Sequence, residues 1–230
     1  MSKDKEIFSR FTMMLSNEQT EKLFSARVII FGIGGVGGAV AHMLVRSGIK
    51  NLTVVDFDKV DVTNINRQLV ATYNNIGRLK VDVFEEQAKQ INPNINIKLF
   101  ATKLDEVNVD SFNLEKYDYI IDCIDDIPAK KALIKAAKGL NVPILCAMGA
   151  GNRYKDIPTF EICDISRTSY DKIAKIIRSF CVKERIGKLK VCYTKQKPLK
   201  FDCKTIGSVV YYVINMASVM CAEVLNDIIK

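Results

Sequence analysis

Residues 27–48 read RVIIFGIGGVGGAVAHMLVRSG. RVIIF, residues 27–31, has the length and β-branched content of a buried strand, and residues 39–47 carry a helical pattern stopped by Gly48. Between them Gly32, Gly34 and Gly37 fall at the GxGxxG spacing. Glycine permits the tight turn and lets main-chain N–H groups at a helix N-terminus approach phosphate oxygens, so the segment predicts a nucleotide site. It does not choose between a dinucleotide and ATP.

Outward from this loop, short apolar runs alternate with helical periods. LTVVD at 52–56 is the expected second strand, and Val81, Phe84, Ala88 and Ile91 recur at helical spacing until Asn92-Pro93. Further strands are expected at 94–100, 117–122 (YDYIID) and 143–148 (PILCAM), with a helix between the last two carrying Pro128 near its first turn and Gly139 past its end. Beyond come MGAGN at 148–152, a basic helix near 171–185, a short strand VCYT at 191–194 and an apolar closing segment read as strand-to-helix. The pattern predicts an α/β, Rossmann-like, mostly parallel sheet flanked by helices. One domain of residues 1–230 is expected, with a nucleotide-binding core over 1–150 and a basic α+β elaboration over 151–230.

At 230 residues, 48% hydrophobic and 26% charged, the chain is long enough to bury a core, which excludes disordered, collagenous and mini-protein classes. The net charge of +8 is unevenly placed: residues 153–204 hold 14 Lys/Arg against 6 Asp/Glu, and the remainder holds 20 of each sign. Such a patch suits a polyanion, nucleic acid first, although a solvated helix face through Lys172, Lys175, Arg178, Lys183 and Arg185 explains the charge equally well. The seven cysteines form no CxxC pair, which argues against a zinc site. MSKDKEIFSRF lacks a signal-peptide core, so a reducing cytoplasmic setting is expected. Asn215 and Glu223 interrupt the apolar stretch 206–225, and no membrane span is expected.

The residues after the second strand separate the nucleotide alternatives. VVDFDKV at 54–60 and DVTNINRQ at 61–68 precede GRLK at 77–80 and DCIDD at 122–126. Asp56 suits a ribose hydroxyl in either case. A hydride-transfer site has no use for Arg67, Lys80 and Asp125 around one phosphate. Displacement at an α-phosphate needs cations for the phosphoryl oxygens and an acid to hold Mg²⁺ on the leaving pyrophosphate. The dull alternative makes Arg67 and Lys80 surface charges and Asp125 a helix cap. His42, the only histidine, is expected to pack inside its helix.

In that order, GIGGVG, VDFDKV, TNINRQ, GRLK and DCIDD resemble the adenylate-forming superfamily of ubiquitin-activating-enzyme-like proteins, over residues 8–151. MGAGN, PTFEICDISRT at 158–168 and the GS-started tail resemble its threonylcarbamoyladenosine dehydratase branch. The resemblance implies a homodimer that uses ATP and Mg²⁺ to adenylate the threonyl carboxylate of N6-threonylcarbamoyladenosine in tRNA, after which the substrate cyclises with loss of water. It implies Gly32, Gly34, Gly35 and Gly37 for the phosphate loop, Asp56 for ribose, and Asp58 as the second acid of that strand end. Asn64, Arg67 and Lys80 match the phosphate-handling set, Asp125 the magnesium-linked acid, and Arg10 in FSRF an arginine sent across the dimer interface. Arg153 and Arg167 are the expected tRNA contacts.

SYDKIAKIIR at 169–178 and the proline-free VVYYVINMAS at 209–218 depart from that branch. Both lie where RNA should dock. An adenylyltransferase for a ubiquitin-like sulfur carrier is the runner-up, in which Cys163, Cys181 or Cys192 would be taken for a thioester residue. An NAD-dependent oxidoreductase and a non-catalytic RNA-binding scaffold are the readings from other classes. Whether a sulfur-transfer protein docks on the dimer, and which cyclic isomer forms, local spacing leaves open.

Overall fold

The computed structural model describes residues 6–202 and 205–230; Cys203 and Lys204, counted above, lie outside them. After the helices α1 (Ser9–Thr12) and α2 (Asn17–Ser25) come β1 (Arg27–Phe31), α3 (Gly35–Arg46) and β2 (Asn51–Val55). The chain continues through α4 (Lys80–Ile91), β3 (Asn96–Phe100), β4 (Tyr119–Asp122), α5 (Ile127–Gly139) and β5 (Ile144–Ala147). The last part holds β6 (Glu161–Asp164), α6 (Lys172–Lys183), β7 (Lys190–Tyr193) and α7 (Val210–Ile229).

All seven strands form one sheet in the order β3-β2-β1-β4-β5-β7-β6. Every ladder is parallel except β6 with β7. Alternate side chains of each buried strand enter opposite cores. Val28 and Ile30 join Leu44 of α3, Phe84 of α4 and Met216 and Met220 of α7, whereas Ile29 and Phe31 join Leu133 of α5 and Ile177 of α6. A strand covered on both faces carries a near-continuous apolar run, which is why RVIIF, LTVVD and YDYIID were legible. The order reverses between β1 and β4, and that switch point opens a crevice at the carboxyl ends of the strands.

Two expectations change. β6 was not anticipated: it is the edge strand, its residues are exposed or half-buried, and it lacks the apolar run that marks its neighbours. The closing segment holds no strand; it is one 20-residue helix, α7. By length and hydropathy alone α7 is able to cross a membrane, yet Met216, Ala217, Met220 and Val224 are fully buried against α3 and the sheet. The residues past 151 belong to the same sheet, with β7 inserted between β5 and β6.

Candidate active site

The crevice at the switch point is a cleft of about 590 Å³ lined by the ends of β1, β2, β4 and β5 and by α7. Gly32, at φ +81°, stands against the main chain after β4, where an added Cβ would lie 2.9 Å from the Cys123 carbonyl oxygen. Gly37 is tighter still, since its Cβ would fall 1.8 Å from the Gly32 carbonyl oxygen. Gly34 precedes α3 with no side-chain cap, so the first N–H groups of α3 are left for an anion. Gly32, Gly34 and Gly35 line the cleft; Gly37 lies behind them as the packing glycine.

Asp56 accepts from Ile33 N–H and Asp58 N–H, both at 2.8 Å, which ties the glycine loop to the end of β2. Burial pushes its carboxyl above the usual aspartate value, while Lys80 and the two N–H donors oppose the rise. Lys80, 4% exposed, opens α4 with its Nζ 2.7 Å from Asp58 Oδ2. Asp58 therefore positions an ammonium at the cleft. Arg67 lines the same cleft and donates from Nη1 to the Thr63 carbonyl and Asn66 Oδ1; Nε and Nη2 are not used in those bonds.

DCIDD divides its three acids by function. Asp122 is fully buried and pairs at 2.8 Å with Lys130 of α5, whose Nζ also donates to the Ala147 carbonyl. Asp126 caps α5, accepting from Ala129 N–H at 3.0 Å. Asp125 has neither duty and is exposed at the cleft wall. The helix-cap alternative thus belongs to its neighbour.

Four predicted residues outside the glycine loop do not line the cleft. Asn64 does not line the cleft: its carboxamide accepts from Asp61 N–H and closes the turn that carries Arg67. Arg153 is 6% exposed and clamps the MGAGN loop, donating to the carbonyls of Gly149, Gly151 and Gln196. That corrects the expectation of a tRNA contact, because its charge is spent on main-chain carbonyls inside the fold. Arg167 is exposed, Arg10 is exposed on α1, and neither lines the cleft.

Sequence reasoning missed Gln68 and the Asp122–Lys130 pair. Gln68 lines the cleft at 7% exposure with Oε1 lacking any hydrogen-bond partner. It follows Arg67 directly, and nothing local distinguishes it from a surface glutamine. Cys123 also lines the cleft, but burial pushes its thiol far above the usual range. Burial likewise raises Cys163, Cys181 and Cys192, the thioester candidates, with Cys181 at about 11. Such thiols are poor nucleophiles at neutral pH. His42 packs as expected, edge-on to Phe84 with centroids 5.1 Å apart and Nδ1 2.7 Å from the Gly38 carbonyl.

A glycine cradle beneath an uncapped helix, two cations and an uncommitted carboxylate at a sheet switch point define a nucleotide-dependent activating enzyme. The chain belongs to the ThiF family, which it matches over residues 8–229. It is 38% identical over 196 residues to the tRNA threonylcarbamoyladenosine dehydratase of Bacillus subtilis, covering 84% of this chain and 76% of that one. The E. coli tRNA N6-threonylcarbamoyladenosine dehydratase, solved with AMP and with ATP, superimposes with TM-scores of 0.93 and 0.92 at 25% and 26% identity, covering 99% of this chain and 96% of that one. The molybdopterin-synthase adenylyltransferase of Haemophilus influenzae is 30% identical over 158 residues, covering 69% of this chain and 64% of that one.

Proposed function

We propose that this protein is an ATP-dependent tRNA threonylcarbamoyladenosine dehydratase. The observation that carries the reading is the convergence of Arg67, Lys80 and Asp125 in one cleft with the open N-terminus of α3. The similarity to dehydratases chooses the substrate among carboxylates.

The residues fit the nucleotide and its metal. The uncapped start of α3 leaves main-chain N–H groups for phosphate oxygens, the glycines allow the tight turn that presents them, and the orphaned Gln68 Oε1 offers an acceptor to a donor of the ligand. Asp125 would hold Mg²⁺, an ion that protein sites bind through one or two carboxylates plus substrate phosphates. When bound, the ion neutralises charge on the departing pyrophosphate.

The threonyl carboxylate is already ionised at neutral pH, so attack on the α-phosphorus needs no general base. A carboxylate oxygen bonds to phosphorus as the bond to pyrophosphate breaks, and Lys80 and Arg67 stabilise the charge on the phosphoryl oxygens. An atom of the substrate's own ureido group then bonds to the activated carbonyl carbon. AMP leaves with the carboxylate oxygen and the ureido proton is lost, a net loss of one water. Intramolecular closure has a large effective-molarity advantage, so no enzyme nucleophile is required, in keeping with the raised thiols. The same thiols weigh against a thioester-forming carrier-protein enzyme.

The reading includes a homodimer in which Arg10 of one protomer reaches its partner's cleft. Supporting it, Met13 and Met14 next to Arg10 are 74% and 71% exposed, a poor use of apolar surface in a monomer. It also includes binding of tRNA through the basic second half, Arg167 among the contacts, a cytoplasmic location, and room for a sulfur-transfer partner on the dimer. The test is incubation with ATP, Mg²⁺ and tRNA bearing the modification, followed by nucleoside mass and AMP release. Loss of one water, abolished by Arg67→Ala and by Asp125→Asn, is the expected result. AMP formation only with a ubiquitin-like carrier, with the nucleoside mass unchanged, would transfer the assignment to the runner-up.

A further inference from the structure

Where the sequence departs from the dehydratase branch, at SYDKIAKIIR, the structure places an aromatic ring under tension. Tyr170 holds φ at +54° and is 60% exposed. A bulky side chain rarely adopts that backbone conformation, and its persistence requires surroundings that impose it. They do. On one side Arg178 donates to the carbonyl and hydroxyl of Thr168, both at 2.7 Å, and Tyr193 donates to the Arg167 carbonyl. On the other side Asp171 accepts from Ala174 N–H, capping α6, and from Gly149 N–H in the cleft-lining MGAGN loop, both at 2.8 Å. The segment is held on both sides, on one of them to the cleft-lining Gly149, while the ring stays exposed. Lys197 places its ammonium 4.6 Å over the centroid, covering one face.

We propose that Tyr170, backed by Lys197, is a stacking platform for an unpaired RNA base adjacent to the modified adenosine. The inference rests on the dehydratase reading above. To bring its carboxylate to an α-phosphate in the cleft, the adenosine must leave the RNA stack, which strips one face of a flanking base. A rigid exposed ring at the rim of the cleft replaces that lost partner, and Lys197 adds a cation beside the backbone phosphates. It lies within the sequence segment 153–204, which holds 14 Lys/Arg against 6 Asp/Glu.

The test uses the full chain, ATP, Mg²⁺ and modified tRNA. Tyr170→Asn relieves the backbone, because asparagine tolerates positive φ, so its melting temperature and its ATP-induced melting shift should match or exceed those of the wild type. Its KM for tRNA should rise about tenfold, whereas Tyr170→Phe should stay within about twofold. An abasic site at one flanking nucleotide should raise the wild-type KM by a similar factor and add little to that of Tyr170→Asn. If the wild type dehydrates the tRNA and Tyr170→Asn keeps its KM, stacking is overturned and the dehydratase reading stands. If the wild type leaves the modified nucleoside unchanged in mass, that reading falls and the platform falls with it.

Discussion

Asp122, Asp125 and Asp126 sit within five positions and have nothing in common but their chemistry. Asp126→Ala removes a helix cap and should cost about 1 kcal/mol of stability in a denaturant melt. Asp125→Asn should leave the melt where it was and lower AMP formation by roughly 100-fold or more. A stability loss in Asp125→Asn equal to that in Asp126→Ala would return Asp125 to a structural role. Lys130→Met strands the Asp122 charge in a fully buried position, at a cost of about 3–5 kcal/mol. The paired change Asp122→Leu with Lys130→Met should recover much of the stability, read by the same melt.

The elements carry their own consequences. α3 touches α4 through His42, whose Nε2 is 3.1 Å from Gln87 Oε1. Burial is the largest influence on that ring and holds its pKa below the ordinary 6.5. The unfolded chain therefore binds a proton as the pH falls through 6.5 while the folded chain resists it, so stability declines on acidification from there down to the folded value. The urea midpoint should be lower at pH 5.5 than at pH 7.5, and His42→Leu should flatten the difference. An unchanged wild-type midpoint would show that the ring is solvated. The start of α3 tolerates less: Gly37→Ala drives a Cβ into the Gly32 carbonyl, where backbone rather than a flexible side chain must yield. Loss of soluble protein or of ATP-induced thermal stabilisation is the expected outcome.

At the scale of the whole molecule, the proposed dimer makes each active site a product of two chains. Arg10→Ala and Arg67→Ala should each be nearly inactive alone. Mixed after gentle dissociation, they should regain about a quarter of the wild-type rate, because half the dimers are mixed and each of those rebuilds one of two sites. A monomer by sedimentation that turns over fully would remove the trans arginine. Binding of tRNA to the basic second half should weaken steeply between about 50 and 200 mM salt, and ATP-induced stabilisation should change far less.

Much of this protein was legible in its residues alone. Strands covered on both faces must be apolar, helices must repeat their apolar positions, and a phosphate turn admits almost nothing but glycine, so β1, α3, β2 and the nucleotide loop announce themselves between residues 27 and 55. Asp125, Arg67 and Lys80 were legible because their order along the chain carries the family likeness. What local spacing lacks is burial. Arg153 looks like any basic surface residue until the MGAGN loop closes around it, and Asp122 looks like its neighbours until Lys130 meets it from α5. The edge strand β6 has no apolar run because its residues are exposed or half-buried rather than covered on both faces. Chain order determined which chemical groups were present; tertiary packing decided which of them were spent holding the fold and which were left facing the cleft, since desolvation and hydrogen-bond satisfaction depend on residues far apart in sequence.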